Sequence, residues 1–273
     1  MPRILDYNGQ DANRTVTVAD IVTQKGKRGK LAQVTASTAE ESAAAEAAGI
    51  EMAVCMSTCV RDVRAGSSSI FVTAAIDFTG AVTDEDLLET AFGALTDGAD
   101  AVITARRFQA VRRIADEGVP VMGHLGFVPK KSTWYGGVRA VGKTAEEASA
   151  LWDDFRRLED AGAFAVECEL IPGMLMREIT KRTGLTTISL GSGPDADIIF
   201  LFMSDICGES PRVPKHARTY GDLKSLYAKI NDERVRALTG YRNDVQSGNY
   251  PGEAEVAAID AAEIAKFLEG LDS

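Results

Sequence analysis

Residues 101–123 read AVITARRFQAVRRIADEGVPVMG, and this stretch has the pattern of a strand, a helix and a second strand. Two short apolar runs, Ala101–Thr104 and Val119–Gly123, flank a segment in which Val111 and Ile114 recur at helical spacing. Strands that are apolar on both faces are typical of a parallel sheet covered by helices. The stretch therefore predicts one strand–helix–strand unit of such a sheet.

The same alternation of apolar runs and helical segments recurs along the chain. Further strand candidates lie at residues 30–35, 51–56, 70–75, 163–167, 187–190 and 198–202. Eight strand signals with helices between most of them predict an α/β fold, a (β/α)8 TIM barrel, rather than a doubly wound sheet. The connection from Met56 to Ile70 is the weak point, because some thirteen residues barely allow a crossover with a short helix.

The last sixty residues or so have a mostly helical pattern, over 220–246 and 253–271. Nothing in the sequence before them has the composition of an interdomain linker. We predict a single domain over residues 1–273, in which a barrel carries a helical C-terminal extension from about residue 220.

The charge balance limits the partners that the chain can have. Forty Asp and Glu against thirty Lys and Arg give a formal net charge of −10, which repels nucleic acid and anionic membranes. No stretch approaches the roughly 20 apolar residues that a membrane helix needs, and the first residues lack an apolar signal core. We expect a cytoplasmic protein whose partner is a small molecule.

His124 lies at a predicted strand end between Gly123 and Gly126. In a (β/α)8 barrel, reactive residues lie at the C-terminal ends of the strands, and glycines allow a ligand to approach the backbone closely. A histidine at such a position either holds the local structure by hydrogen bonding or faces a ligand, and the pattern leaves both interpretations open.

Glu167 and Glu169 follow another predicted strand end, and strand alternation places them on one side if the strand continues. If it does not, one faces the barrel mouth and the other faces a helix or solvent. A carboxylate among apolar walls has a raised pKa and can act as a general acid or base. The alternative is a structural glutamate in a salt bridge.

Arg106 and Arg107 come just after the predicted strand at 101–104. Adjacent arginines at a barrel mouth can clamp a carboxylate through paired N–H donors. They also begin a helix whose basic face continues at Arg112 and Arg113, so a solvated helix surface is the competing interpretation.

Four motifs in register carry a family resemblance that runs from about Val16 to Tyr250. They are VPVMGHLGFVP at 119–129, GGVRAVGK at 136–143, LEDAGA at 158–163 and GSGPDAD at 191–197. Together they resemble the ketopantoate hydroxymethyltransferase family. The resemblance implies a (β/α)8 barrel related to phosphoenolpyruvate mutases and isocitrate lyases. It also implies transfer of a one-carbon unit from methylenetetrahydrofolate to a 2-oxo acid, with Mg²⁺, on the way to pantothenate.

The resemblance fails at the metal ligands. The three carboxylates of the family motifs VGDS, ADxPF and KxEGG fall by register on Met56, Ala75 and Ala105, none of which offers the oxygen ligands that Mg²⁺ prefers. The same register places the family's catalytic glutamate on Glu169, its substrate-contacting serine on Ser57 and its histidine on His124. We therefore expect that the family's Mg²⁺ site is lost.

Three functions remain open. The chain is a divergent enzyme that acts on a small anionic 2-oxo acid or related carboxylate by aldol-type or proton-transfer chemistry without Mg²⁺, or it is a non-catalytic paralogue that binds a ligand or an active relative. The third is the family reaction with a relocated metal held by Asp77, Glu167 or Asp205. In the divergent enzyme, we expect Glu169 to act as the base and His124 to hold or protonate the substrate oxygen. We expect Arg106 or Arg107 to supply the positive charge that Mg²⁺ supplies in the family. The use of folate stays undecided.

The resemblance also implies self-association, because the family forms decamers from two pentameric rings. We expect a homo-oligomer, with the decamer as the family's precedent.

Overall fold

The computed structural model describes residues 3–271. The chain divides into two compact units, Met1–Tyr220 and Gly221–Ser273. The predicted single domain that includes the C-terminal helices therefore stays a prediction. None of the helices in the described part of the chain is both long and apolar enough to cross a membrane.

The first unit contains a closed barrel of eight parallel strands. Each strand pairs with its neighbour in sequence, and the last pairs with the first. The strands are β1 Leu31–Thr35, β2 Met52–Met56, β3 Phe71–Ala75, β4 Ala101–Ile103, β5 Val121–Gly126, β6 Ala165–Glu169, β7 Thr186–Leu190 and β8 Ile198–Leu201. The predicted (β/α)8 barrel is confirmed.

Helices alternate with the strands, except between β7 and β8, where residues 191–197 form a loop. The short connection after β2 is filled by a 3₁₀ turn, Ser57–Cys59, and by a short helix, so thirteen residues do suffice for that crossover. A small antiparallel hairpin, Ile4–Leu5 with Asp11–Ala12, precedes the barrel. The helices of this unit are α1 Val18–Thr23, α2 Ala39–Ala47, α3 Val60–Gly66, α4 Asp84–Thr96, α5 Phe108–Asp116, α6 Ala145–Asp160, α7 Gly173–Thr180 and α8 Met203–Ile206.

Local capping fixes where several helices begin. At the start of α4, the backbone N–H of Asp86 donates to Thr83 Oγ1 at 3.1 Å, and the Thr83 N–H donates to Asp86 Oδ2 at 2.9 Å. This reciprocal capping box satisfies two N–H groups that would otherwise lack partners. The aspartate, one methylene shorter than the usual glutamate, still closes the box.

Two strands extend further than the sequence predicted. β5 continues through His124 to Gly126, and β6 continues to Glu169, because the ladder between them pairs His124 with Glu167 and Gly126 with Glu169. The predicted strand ends at Gly123 and Glu167 were therefore wrong. The extra ladder residues make His124 and Glu169 parts of a rigid sheet rather than of loops.

The barrel interior is packed near the strand starts and open at the strand ends. Fully buried side chains such as Met52, Phe71 and Met122 fill the lower layer. One layer higher, Val54, Ile103, Leu190 and Phe200 still belong to the same apolar cluster but line a cavity. The fold thus leaves open the end at which barrel enzymes carry their sites.

The second unit consists of α9 Leu223–Ser247, a 3₁₀ turn Glu253–Glu255 and α10 Ala261–Leu271. Its helical pattern was predicted, although α10 begins later than expected. Within the described residues of this unit none is buried. Apolar side chains on both helices, including Val235, Leu238 and Phe267, are more than half exposed, at 56%, 66% and 58%.

Candidate active site

A cavity of about 580 Å³ lies at the C-terminal ends of the barrel strands. Its wall is mostly apolar, and only a few polar side chains reach it. We call it the mouth cavity. Its lining residues come from strands and the loops after them, and those used below are Met56, Ala75, Asp77, Ala105, His124, Glu167, Glu169, Phe200 and Phe202.

His124 and Glu169 form a direct pair in the mouth cavity. The distance from His124 Nε2 to Glu169 Oε2 is 3.0 Å, and the side chains are only 10% and 14% exposed. The residues are 45 positions apart in the chain, and the parallel pairing of β5 with β6 brings them together. Because Oε2 is occupied by the imidazole, Glu169 Oε1 is the oxygen left to accept a proton from a ligand.

Glu167 lies on the same side of β6 as Glu169 and also lines the mouth cavity. It is buried, at 5% exposure, and accepts a hydrogen bond of 2.7 Å from Gln33 Nε2. Burial raises the pKa of Glu167, although the nearby imidazole and the Gln33 hydrogen bond oppose the shift. The structure therefore places both glutamates at the cavity, as the continued strand requires.

His124 lies in a strongly negative environment. Burial by itself lowers the pKa of the imidazole, but the hydrogen bond with Glu169 and the charges of Glu167 and Glu169 outweigh it. A hydrogen bond with the Phe127 backbone adds to the same effect, so the net pKa of His124 is raised. The site therefore favours the imidazolium form of His124.

The three residues on which the resemblance places the family's metal ligands line the mouth cavity. Met56, Ala75 and Ala105 all line it and offer no oxygen donor. Across residues 3–271, no group of three or more His, Cys, Asp or Glu side chains is arranged to hold a metal ion. The residues present therefore do not fit the Mg²⁺ that the resemblance implies.

The three residues considered as relocated ligands are divided between two places. Asp77 and Glu167 line the mouth cavity, where Asp77 accepts a hydrogen bond from the Thr79 N–H at 3.1 Å. Asp205 is buried in α8 and is not among the residues that line the cavity. Relocation through Asp205 therefore has no geometric support.

The remaining predicted substrate contacts lie outside the mouth cavity. Ser57 begins the 3₁₀ turn after β2 and is not among the lining residues. Arg106 and Arg107 line a second cavity of about 560 Å³. The second cavity shares Thr104, Ala105 and His124 with the mouth, so the two cavities adjoin. Ligand binding by these three residues stays a prediction.

Two polar residues near the reactive pair were not singled out from the sequence. Gln33 holds Glu167, and Lys130 lies over the ring of Phe78, with 5.6 Å from Nζ to the ring centroid. Gln33 could have been found from the sequence, because it is the one amide side chain in the mostly apolar run Leu31–Thr35. The sequence gave no signal for Lys130, because a lysine in a polar loop is common.

The chain matches a family model described as ketopantoate hydroxymethyltransferase over residues 53–253. It is 31% identical over 272 residues to the 3-methyl-2-oxobutanoate hydroxymethyltransferase of Thermobifida fusca, covering 90% of this chain and 94% of that protein. The corresponding protein of Kosmotoga olearia is 32% identical, with 88% and 97% covered. With the Pyrobaculum islandicum protein, 36% identity extends over 61% of this chain and only 62% of the relative's length.

Solved structures of lower similarity share the fold. A phosphonopyruvate hydrolase complex with oxalate and Mg²⁺ has a TM-score of 0.50 at 14% identity, covering 94% of this chain and 97% of that one. A phosphoenolpyruvate phosphomutase from Streptomyces platensis subsp. rosaceus has a TM-score of 0.50 at 12% identity, covering 94% and 96%. At these identities the likeness concerns the barrel alone.

Proposed function

Since the chain belongs to the ketopantoate hydroxymethyltransferase family, we propose that it is a divergent enzyme of that family that works without Mg²⁺. Its substrate is a small 2-oxo acid or related carboxylate, and its chemistry is proton transfer or aldol-type making or breaking of a C–C bond. One observation carries the proposal. The His124–Glu169 pair lies in a cavity that Met56, Ala75 and Ala105 line, at the positions where the resemblance implies carboxylates.

The first step uses Glu169 as the base. Its free oxygen takes the proton from the carbon next to the substrate carbonyl, the C–H electron pair forms the enolate double bond, and the carbonyl oxygen becomes negative. Positioned general bases contribute roughly 10²–10⁴-fold to such steps. The enolate carbon can then attack a one-carbon electrophile or take back a proton.

His124 supplies the positive charge that this step needs. While Glu169 is ionised, the imidazolium and the carboxylate balance each other. When Glu169 takes up the substrate proton it becomes neutral. His124 then faces one carboxylate fewer, so more of its positive charge is left to stabilise the developing oxyanion. The side chains of the pair are largely buried in a mostly apolar wall, which strengthens that interaction.

Deuterium exchange tests the proposed proton transfer without any one-carbon donor. The probe is 3-methyl-2-oxobutanoate, the compound in the name of the related enzymes, whose C3 proton is on the carbon next to the carbonyl. In D₂O with EDTA, the enzyme is expected to replace that proton at a rate that proton NMR distinguishes from the uncatalysed exchange. Absence of exchange with and without metal contradicts the proposal and favours the non-catalytic paralogue.

A second candidate, the family reaction with a relocated metal, is favoured by one observation, which is that Asp77 and Glu167 both line the mouth cavity. Isothermal titration with Mg²⁺ separates the two. We expect no binding tighter than millimolar, because Met56, Ala75 and Ala105 give the ion no oxygen ligand. Micromolar binding that Asp77→Ala abolishes would assign the metal to new ligands, and Mg²⁺-dependent exchange would support the same conclusion.

We also propose that copies of the chain assemble with one another. The described residues of the second unit bury no side chain of their own, and many of their large apolar side chains are exposed. Large apolar side chains that stay exposed over a whole helical unit are consistent with an interaction surface. Light scattering at micromolar concentration is expected to give a mass of at least twice the 29.1 kDa of the single chain. A mass equal to the single chain contradicts the assembly.

A further inference from the structure

The second cavity, of about 560 Å³, is unusually cationic for a chain of net charge −10. We call it the cationic cavity. Two carboxylates, Glu147 and Asp154, lie in its wall. The same wall contains six cationic side chains, which are Arg106, Arg107, Lys130, Lys131, Arg139 and Arg157.

Half of those cations already have a carboxylate partner. Their ion pairs are Arg107 with Asp84 at 2.9 Å, Arg139 with Glu147 at 2.7 Å and Arg157 with Asp154 at 3.2 Å. Arg106, Lys130 and Lys131 make no ion pair with any carboxylate in the described part of the chain. Three cationic side chains of this wall thus have no ion pair, although the charges of Arg106 and Asp86 attract each other.

Arg106 is held in place with one donor unused. Its backbone N–H donates to Thr104 Oγ1 at 3.3 Å, which ties the residue to the end of β4. The guanidinium Nε is buried and has no hydrogen-bond acceptor among residues 3–271. A buried donor without a partner is costly. Because Nε has almost no surface open to solvent, a ligand in the cavity would bind through the other guanidinium nitrogens.

Lys130 comes from the loop after the neighbouring strand, β5. Partial burial of this surface side chain lowers the pKa of its ammonium group, and the charges of Arg106 and Lys131 lower it further. The loops after β4 and β5 therefore hold like charges close together, an arrangement that a bound anion would stabilise.

We propose that the cationic cavity binds the phosphate group of a small molecule. Three cations without ion pairs match a dianion better than a single carboxylate, and guanidinium and ammonium groups both bind phosphate oxygens. The cavity shares Thr104, Ala105 and His124 with the mouth, so a ligand anchored there lies against a wall that includes one member of the reactive pair. The phosphate site stands independently of the proposed reaction.

Titration calorimetry with inorganic phosphate, at constant ionic strength, tests the site. Saturable binding is expected, and Arg106→Gln is expected to weaken it about 10–100-fold, as loss of a charged hydrogen bond implies. Lys130→Gln, a change at an exposed side chain, is expected to weaken it in the same direction and serves if Arg106→Gln does not fold. Glycerol 3-phosphate that binds as tightly as phosphate identifies a phosphate ester as the ligand, whereas binding of phosphate alone identifies the free anion.

The matched control is Arg113→Gln. Arg113 lies on α5, pairs with Glu117 at 3.4 Å and does not line the cavity, so phosphate binding should not change. The proposal is overturned if neither anion binds, or if Arg113→Gln weakens binding as much as Arg106→Gln, which would indicate general electrostatic attraction. Since Glu169→Gln should leave phosphate binding intact, failure of this site and failure of the proposed reaction are distinguishable.

Discussion

Glu169→Gln is expected to slow exchange of the C3 proton of 3-methyl-2-oxobutanoate by roughly 10²–10⁴-fold, the contribution of a positioned general base. Glutamine has nearly the same shape and can still hydrogen-bond to His124, but its amide does not accept a proton near neutral pH. The cavity should keep its structure, so the loss should appear in the exchange rate rather than in protein stability. Proton NMR in D₂O measures it directly.

Two comparisons make the Glu169 result specific. Glu169→Asp retains a carboxylate on a shorter side chain and should keep more activity than Glu169→Gln. Denaturant unfolding should show similar stability for both variants. If Glu169→Gln exchanges the proton within threefold of the unaltered protein, Glu169 is not the base.

Gly126→Ala is expected to destabilise the protein by about 2–6 kcal/mol, from backbone strain and a steric clash together. Gly126 ends β5 with φ of +89°, a conformation that a residue with a Cβ adopts only at a cost. An added Cβ would also collide with the backbone carbonyl of Glu169 and lie 2.8 Å from Ile171 Cγ1. Because Glu169 is itself pushed aside, exchange activity should fall as well.

Gly118→Ala is the matched control for strain alone. Gly118 has φ of +75°, but a Cβ there would meet no atom within 4 Å. Its cost should therefore be about 1–2 kcal/mol, the steric penalty of the left-handed region. Urea unfolding of both variants gives the comparison, and equal destabilisation would mean that the contact between Gly126 and Glu169 is unimportant.

The local pattern of the sequence was enough to predict the barrel. Apolar runs of strand length, helical spacing such as that of Val111 and Ile114, and the Thr83–Asp86 box each depend on residues close together in the chain. Motif register likewise singled out His124 and Glu169 as candidates. Because these local signals recur in eight strand units, errors of two or three residues at the strand ends did not change the predicted fold.

The tertiary structure alone decided which of these side chains meet. Glu167 and Gln33 are 134 residues apart, and His124 pairs with Glu169 only because β5 and β6 continue past their predicted ends in one register. It also placed Arg106 in a neighbouring cavity rather than in the mouth. A one-residue change of strand register, or a different rotamer, would separate these pairs or move Arg106 to another cavity. Long-range packing fixes both the register and the rotamers, and it cannot be predicted from neighbouring residues in the sequence.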